Sequence, residues 1–326
     1  MMNPLSRRLM LGAGALLALG TKPAGAQTAP PAAPGWLPPP AAQRCPSRWG
    51  AADRRGAMNL MTPDRAKASA ALIRSGEIVE LGHVLSPSMP LNPGRQYSLI
   101  TKQTAKNPGP NNRWGNEEII TAEMGQVGTQ FDMFPHQTIG DELYNCVSMT
   151  GIATRNGFRE MGVETVGTIF TRGVLLDIAG LKGVPVLGDD YEVTVADLEA
   201  AMAKQAVQLA EGDAVIIHTG WGTLWGKENA RYVKSNPGLG TAAAEFILAR
   251  NPILMGADTP PVEVTPSRGA NLPVHQMALV VNGVHLLENL KLDVLVTKAR
   301  SEFALLVQPL KLQGGTGSTV APSAIL

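Results

Sequence analysis

The sequence predicts an α+β fold, and three observations carry that prediction. Strand-like apolar runs and capped helical segments follow one another without the strict strand–helix–strand alternation of a doubly wound sheet. Glycine (35 residues) and proline (25) are frequent, which breaks the chain into short elements joined by many turns. A hydrophobic fraction of 44% over 326 residues supports a substantial core, in one large domain or two small ones.

Taken in order, the chain opens with a targeting segment. Ser6-Arg7-Arg8-Leu9-Met10-Leu11 is a twin-arginine pattern running into apolar residues up to Leu19, and Ala24-Gly25-Ala26 supplies small residues for cleavage. Residues 1–26 therefore read as a signal peptide, which predicts a periplasmic protein exported by the twin-arginine route. The apolar stretch is shorter than the ~20 residues a membrane span needs. Residues 27–44, rich in Pro, Ala and Gln, read as a flexible leader, with the folded body from Cys45. Cys45 and Cys146 would share an oxidising compartment, but the sequence does not set the distance between them, so their pairing stays open.

Within the body, Thr62 caps a predicted helix over 63–75, with Pro63 in its first turn. Residues 77–85 read as a strand and 90–116 as a long loop over the pocket. A strand region spans 119–133, and a short apolar strand 173–178. Thr194 caps a helix over 195–207, followed by a buried strand at 214–219. A helix at about 241–250 and a strand at 252–256 precede a turn-rich loop at 258–263. The β-branched and apolar residues of 277–287 suit a strand. A final strand lies near 303–309, and the glycines at 314, 315 and 317 open a tail.

Composition removes several functions. Formal net charge is +1, which suggests neither nucleic acid nor an anionic membrane surface as partner. Only 5% of residues are aromatic, too few for a stacking surface for single-stranded nucleic acid. No Cys-x-x-Cys pair offers a thiolate zinc site, and no Gly-x-Ser-x-Gly elbow offers a serine nucleophile. Gly238 to Ala243 imitates a dinucleotide fingerprint, but Lys234-Ser235-Asn236-Pro237 stands before it where a strand is needed.

The informative segment is Gln126-Val127-Gly128-Thr129-Gln130-Phe131-Asp132-Met133-Phe134-Pro135-His136. Gln126, Gln130, Asp132 and His136 are all even positions. On an extended strand they share one face, with Val127, Phe131 and Met133 on the other. The segment resembles the signature of the cyclase / kynurenine-formamidase family of metal-dependent hydrolases, written His-x-Gly-Thr-His-x-Asp-x-Pro-x-His. Gly128, Thr129, Asp132 and His136 match it. Gln126 and Gln130 stand where the family has metal-binding His, and Phe134 where it has Pro. A longer-chain branch of the family carries Gln at these places. The opening from Trp49 to Leu60, Gly212-Asp213 through Trp221, Gly256 to Thr259 and His275 to Leu290 resemble the family in the same order.

The resemblance implies a single swivelling β/β/α domain over residues 45–326. It implies Asp132, His275 and Glu288 as ligands of a divalent ion, and His136 as the base that takes a proton from water. Gln126 and Gln130 either add amide oxygens to the ion or hydrogen-bond a metal water or the substrate. Amide and carboxylate oxygens beside one imidazole best suit Mn²⁺, whereas raw affinity favours Zn²⁺. The implied reaction is metal-assisted hydrolysis of a C–N bond in a small cyclic amide or formamide. Lactone hydrolysis uses the same chemistry. A non-catalytic ligand-binding protein with a degenerate metal site is the third alternative. Family members are usually oligomers, so a homodimer or homotetramer is expected. His285, His218 and His83 read as packing or structural histidines.

Overall fold

The structure is a computed structural model that describes residues 35–104, 109–267 and 269–326. The twin-arginine segment and leader residues 27–34 lie outside the described residues. The described residues fall in one compact unit of mixed helix and strand. Among them no helix is long and apolar enough to cross a membrane.

The core is a nine-stranded mixed sheet. Its order is Ile78–Glu80, Ser323–Ile325, Glu302–Val307, Ile169–Asp177, Ala214–His218, Leu254–Ala257, His285–Glu288, Gln130–Asp132 and Gly317–Thr319. The four strands from Ile169–Asp177 to His285–Glu288 run parallel, and the remaining pairings are antiparallel. The parallel strands carry apolar runs, Val174-Leu175-Leu176 and Val215-Ile216-Ile217 among them, as strands covered on both faces require. Ala214–His218 is buried at every position.

The sheet curls, and chain length shows why. Gly317–Thr319 and Ser323–Ile325 stand seven places apart in the order, yet only residues 320–322 join them. A flat sheet would separate them by roughly 34 Å at ~4.8 Å per strand. Four residue steps reach about 14 Å at most. The tail can serve both places only if the sheet bends toward itself. The tail that the glycines at 314, 315 and 317 open thus supplies two strands of the core sheet.

Several elements form as their local chemistry dictates. Thr62 accepts from the Arg65 amide and Pro63 fills the first helical position, but the helix runs only over Pro63–Ala70. Thr194 and Asp197 form a reciprocal capping box that starts Val195–Gln205. Thr241–Leu248 buries Ala243, Ala244, Ile247 and Leu248 against the core.

Other expectations are corrected. Residues 77–85 supply only the short strand Ile78–Glu80. Residues 90–116 are not all loop: Tyr97–Gln103 pairs with Asn116–Ala122 in an antiparallel arm. The expected strand over 277–287 is mostly helix. Pro273–His275 leads into the wide-turned helix Gln276–Asn282, which ends at the left-handed Gly283, and only His285–Glu288 is strand. A continuous apolar run cannot by itself separate a buried strand from a buried helix; here Met277, Ala278, Leu279 and Val280 are all buried. The ordered body also starts before Cys45. Trp36 packs on the core, Ala41–Arg44 is helical, and Arg44 is buried with its guanidinium on Glu142. Cys45 and Cys146 are bonded as a disulfide.

Candidate metal centre

The segment 126–136 does not run as one strand. Gln126 and Gly128 lie in the turn between the arm and the sheet, only Gln130–Asp132 is strand, and His136 ends the tight turn Phe134–His136. Gly128 makes that turn possible. Its φ is +70°, and a Cβ there would sit 2.2 Å from Leu85 Cδ2. The four polar side chains still converge, because the turns at both ends fold back on the strand.

Strand register brings in the distant partner. Gln130 lies directly opposite Glu288 and Asp132 opposite Leu286, so Gln130, Asp132 and Glu288 share one face. His275 approaches from the short helix ahead of this strand. Its Nε2 is 3.6 Å from Asp132 Oδ2 and 3.3 Å from Glu288 Oε1. His136 Nε2 is 4.0 Å from the same Asp132 Oδ2. Asp132, His136 and His275 form a cluster in which one ligand atom from each lies within 4.8 Å of the others. Asp132, His275 and Glu288 are buried, while His136 keeps 17% of its side chain exposed at a cavity of about 200 Å³.

The two glutamines tie this cluster together through their amide groups. Gln126 Nε2 donates to Asp132 Oδ1 (3.0 Å), and Gln130 Nε2 donates to Glu288 Oε2 (3.0 Å) and Gln126 Oε1 (3.3 Å). Gln126 Oε1 also accepts from Arg95 Nη2 (3.1 Å), and the Gln126 peptide oxygen accepts from Arg95 Nη1 (2.6 Å). The carbonyl of Gln126 is thus turned to donors. Two buried oxygens of the cluster, Asp132 Oδ2 and Gln130 Oε1, have no hydrogen-bond partner. Buried acceptors normally find one, and two carboxylates, an imidazole and an orphaned amide oxygen are a donor set that fits a divalent cation.

Glu263 is the residue that sequence reasoning missed. It is buried and sits at the end of the turn-rich loop. Its carboxylate accepts from the backbone amides of Val274 (2.9 Å) and His275 (3.0 Å), and lies 2.5 Å from His275 Nδ1. Once the ring is neutral, a proton kept on Nδ1 by Glu263 leaves the Nε2 lone pair for the cluster. A carboxylate twelve residues before His275, inside a proline-rich turn, carries no periodic signal that would have marked it.

Electrostatics follow from burial and charge. Burial raises the Glu288 carboxyl, and the Asp132 charge adds to this against the pull of His275, bringing it to about 7. Burial pulls His275 down, but the Glu288 charge and the Glu263 hydrogen bond outweigh it and hold the imidazole well above its ordinary value. His136 is lowered, first by burial and then by His275 and Arg95, against the attraction of Asp132.

The other histidines do not join the centre. His285 is pushed down to about 4 by burial; it stacks on Phe134 and lies 3.1 Å from the Asp132 peptide oxygen. His83 is likewise lowered to about 4 by burial and stacks on Trp225. His218 is flanked by Asp177 (2.7 Å) and Asp258 (3.8 Å) at the ends of neighbouring strands.

The sequence matches the family model described as "Putative cyclase" over residues 79–264. That span contains the 126–136 segment and Glu263 and stops short of His275 and Glu288. A solved structure described as a novel cyclase is 31% identical, with 86% of this chain and 98% of that one covered and a TM-score of 0.78. Isatin hydrolase A from Ralstonia solanacearum shares the fold at 21% identity (81% and 98% covered, TM-score 0.57). So does an isatin hydrolase bound to the product analogue thioisatinate, at 20% identity (82% and 99% covered, TM-score 0.57). No curated protein matches the sequence. With a family model matching more than half of its length and a structural relative over 30% identical along most of it, this chain belongs to the cyclase family.

Proposed function

We propose that this protein is a metal-dependent hydrolase that opens a C–N bond in a small cyclic amide or formamide. The observation that carries the reading is the pair of buried oxygens without partners, Asp132 Oδ2 and Gln130 Oε1, in a cluster with His275 Nε2 and Glu288. Asp132, His275 and Glu288 would hold the ion, and their two carboxylates offset its charge. A bound divalent ion supplies Lewis acidity, lowering the pKa of water and polarising a carbonyl. Mn²⁺ suits the oxygen-rich set, and Zn²⁺ follows from intrinsic affinity. A folded protein carried by the twin-arginine route can receive its ion before export to the periplasm.

His136 is the proton carrier in this reading. It is the least buried member of the cluster on the cavity wall, and its lowered proton affinity keeps the imidazole neutral at neutral pH. It takes a proton from the attacking water and delivers it to the leaving nitrogen. The Gln126 and Gln130 amides fix where the Asp132 and Glu288 carboxylates point. The isatin hydrolases that share the fold lend support to a cyclic amide as substrate, and a lactone would meet the same groups.

Elemental analysis with an activity screen tests this. Purified protein is expected to carry about one divalent ion per chain and to turn over a compound among formamides, cyclic imides and lactones. Asp132→Ala is expected to lose the ion while circular dichroism shows the fold intact. His136→Ala is expected to keep the ion and lose roughly 10²–10⁴-fold in kcat, the range for general-base catalysis. An ion lost in His136→Ala would make that residue a ligand instead. A metal-free, inactive protein that still binds small molecules would leave a ligand-binding protein.

A further inference from the structure

We propose that Arg95 makes the cavity a site for a carboxylate-bearing substrate, its guanidinium gripping a carboxylate remote from the scissile carbonyl. This rests on the hydrolase reading above and adds the chemical class of the substrate.

The cavity of about 200 Å³ is lined by Arg95, Gln126, His136, His275, Glu288 and Asn271, among others. It is smaller than the ~300–1,000 Å³ of drug-sized ligand pockets, so its occupant has few atoms beyond the reacting group. Arg95 is half-buried on this wall, and its hydrogen bonds go to a single neutral residue, Gln126. Among the described residues it has no carboxylate partner. A guanidinium carries five N–H donors; these two bonds leave three of them free. A cation placed partly out of water without a counter-ion is unfavourable unless something supplies the opposite charge.

The same contacts make Arg95 rigid. Gln126 grips it by the peptide oxygen and by Oε1, while Gln126 Nε2 is pinned to Asp132 Oδ1. The guanidinium plane is therefore fixed relative to the candidate metal ligands. A planar fork so held suits bidentate capture of a carboxylate. Its charge reaches the reacting zone, since Arg95 is one of the groups that depress His136. The ionisable groups facing it across the cavity are His136, His275 and Glu288. With Glu288 engaged by an ion, nothing on the wall repels an anion. The glutamine at position 126 gains a reason as well: its amide oxygen serves the guanidinium and its NH₂ serves Asp132.

Two measurements on the full-length exported protein test this. The first uses isothermal calorimetry with succinate, which carries no scissile bond, on Mn²⁺-loaded protein, so that Glu288 is engaged and turnover does not contribute. Wild type is expected to bind, Arg95→Met to bind at least tenfold more weakly, and Arg95→Lys to fall between, with melting temperatures confirming folded variants. The second compares kcat/KM for N-formylglycine and the neutral N-formylglycinamide on Mn²⁺-loaded protein. Wild type is expected to favour the carboxylate, and Arg95→Met to reduce that preference at least tenfold while metal content stays constant. Absence of succinate binding by wild type, or equal affinity in Arg95→Met, overturns the proposal. So does an unchanged preference between the formamides, which would leave Arg95 as a clamp on its loop. Arg95-dependent succinate binding in a protein inert toward formamides, cyclic imides and lactones alike would sustain the anion site and sink the hydrolase reading.

Discussion

Glu263 shows how much a single buried carboxylate decides. It caps two backbone amides and orients His275 from behind, through Nδ1. Outer partners of this kind typically contribute 10–100-fold to metal affinity. Glu263→Gln keeps the shape and removes the charge that makes Nε2 a better donor to an ion. It is expected to weaken Mn²⁺ or Zn²⁺ binding about 10–100-fold by calorimetric titration, with circular dichroism confirming a folded variant. Wild-type affinity in that variant would reduce Glu263 to a helix cap. The candidate site residues were named through the family resemblance: Asp132, His275 and Glu288 as ligands and His136 as the base. Glu263 and Arg95 were not, because their roles arise from contacts with loops that no spacing rule links to them.

At the scale of elements, the arm formed by Tyr97–Gln103 and Asn116–Ala122 stands apart. Nearly all its positions are exposed, and its apolar residues form two cross-strand pairs, Leu99 with Ile120 and Ile100 with Ile119. Successive residues of a strand face opposite sides, so both faces of the arm are apolar. A lone two-stranded ribbon is marginal in water. We expect the arm to be covered by a second copy of this chain, consistent with a homodimer or homotetramer. The double variant Ile100→Asp, Ile119→Asp is expected to shift the protein to monomers in light scattering, with its circular dichroism retained. An unchanged mass would remove the arm from the interface. The helix Gln276–Asn282 teaches the opposite lesson about patterning: with four successive buried apolar residues, Met277 to Val280, it read as a strand because its period was hidden.

For the molecule as a whole, the Cys45–Cys146 bond ties the N-terminal entry of the body to the turn region that follows the 126–136 segment, across 101 residues of chain. Cross-linking a loop of that length lowers the entropy of the unfolded chain, which stabilises the fold by roughly 4.7 kcal/mol in the simple loop-closure account. Replacing both cysteines with serine is expected to cost several kcal/mol in urea unfolding. A variant as stable as wild type would show that the unfolded chain is already restrained. The sheet's curl acts at the same scale: it places Gly317–Thr319 beside Gln130–Asp132, so the C-terminal tail helps to hold the strand that carries Asp132.

The sequence alone determined the α+β class, the family resemblance, and the residue types able to hold an ion, because those depend on local pattern and on side-chain chemistry. It also placed the helix caps at Thr62 and Thr194, where one side chain and the next turn suffice. Only the tertiary structure decided which amide atom of Gln126 faces which neighbour, that Glu263 stands behind His275, and that Arg95 looks into the cavity. It alone paired the cysteines and folded the glycine-rich tail into the sheet. The physical reason is separation along the chain. Glu288 lies 158 residues from Gln130 and His275 lies 143 from Asp132, and such meetings are set by sheet register and curvature, which no local period records.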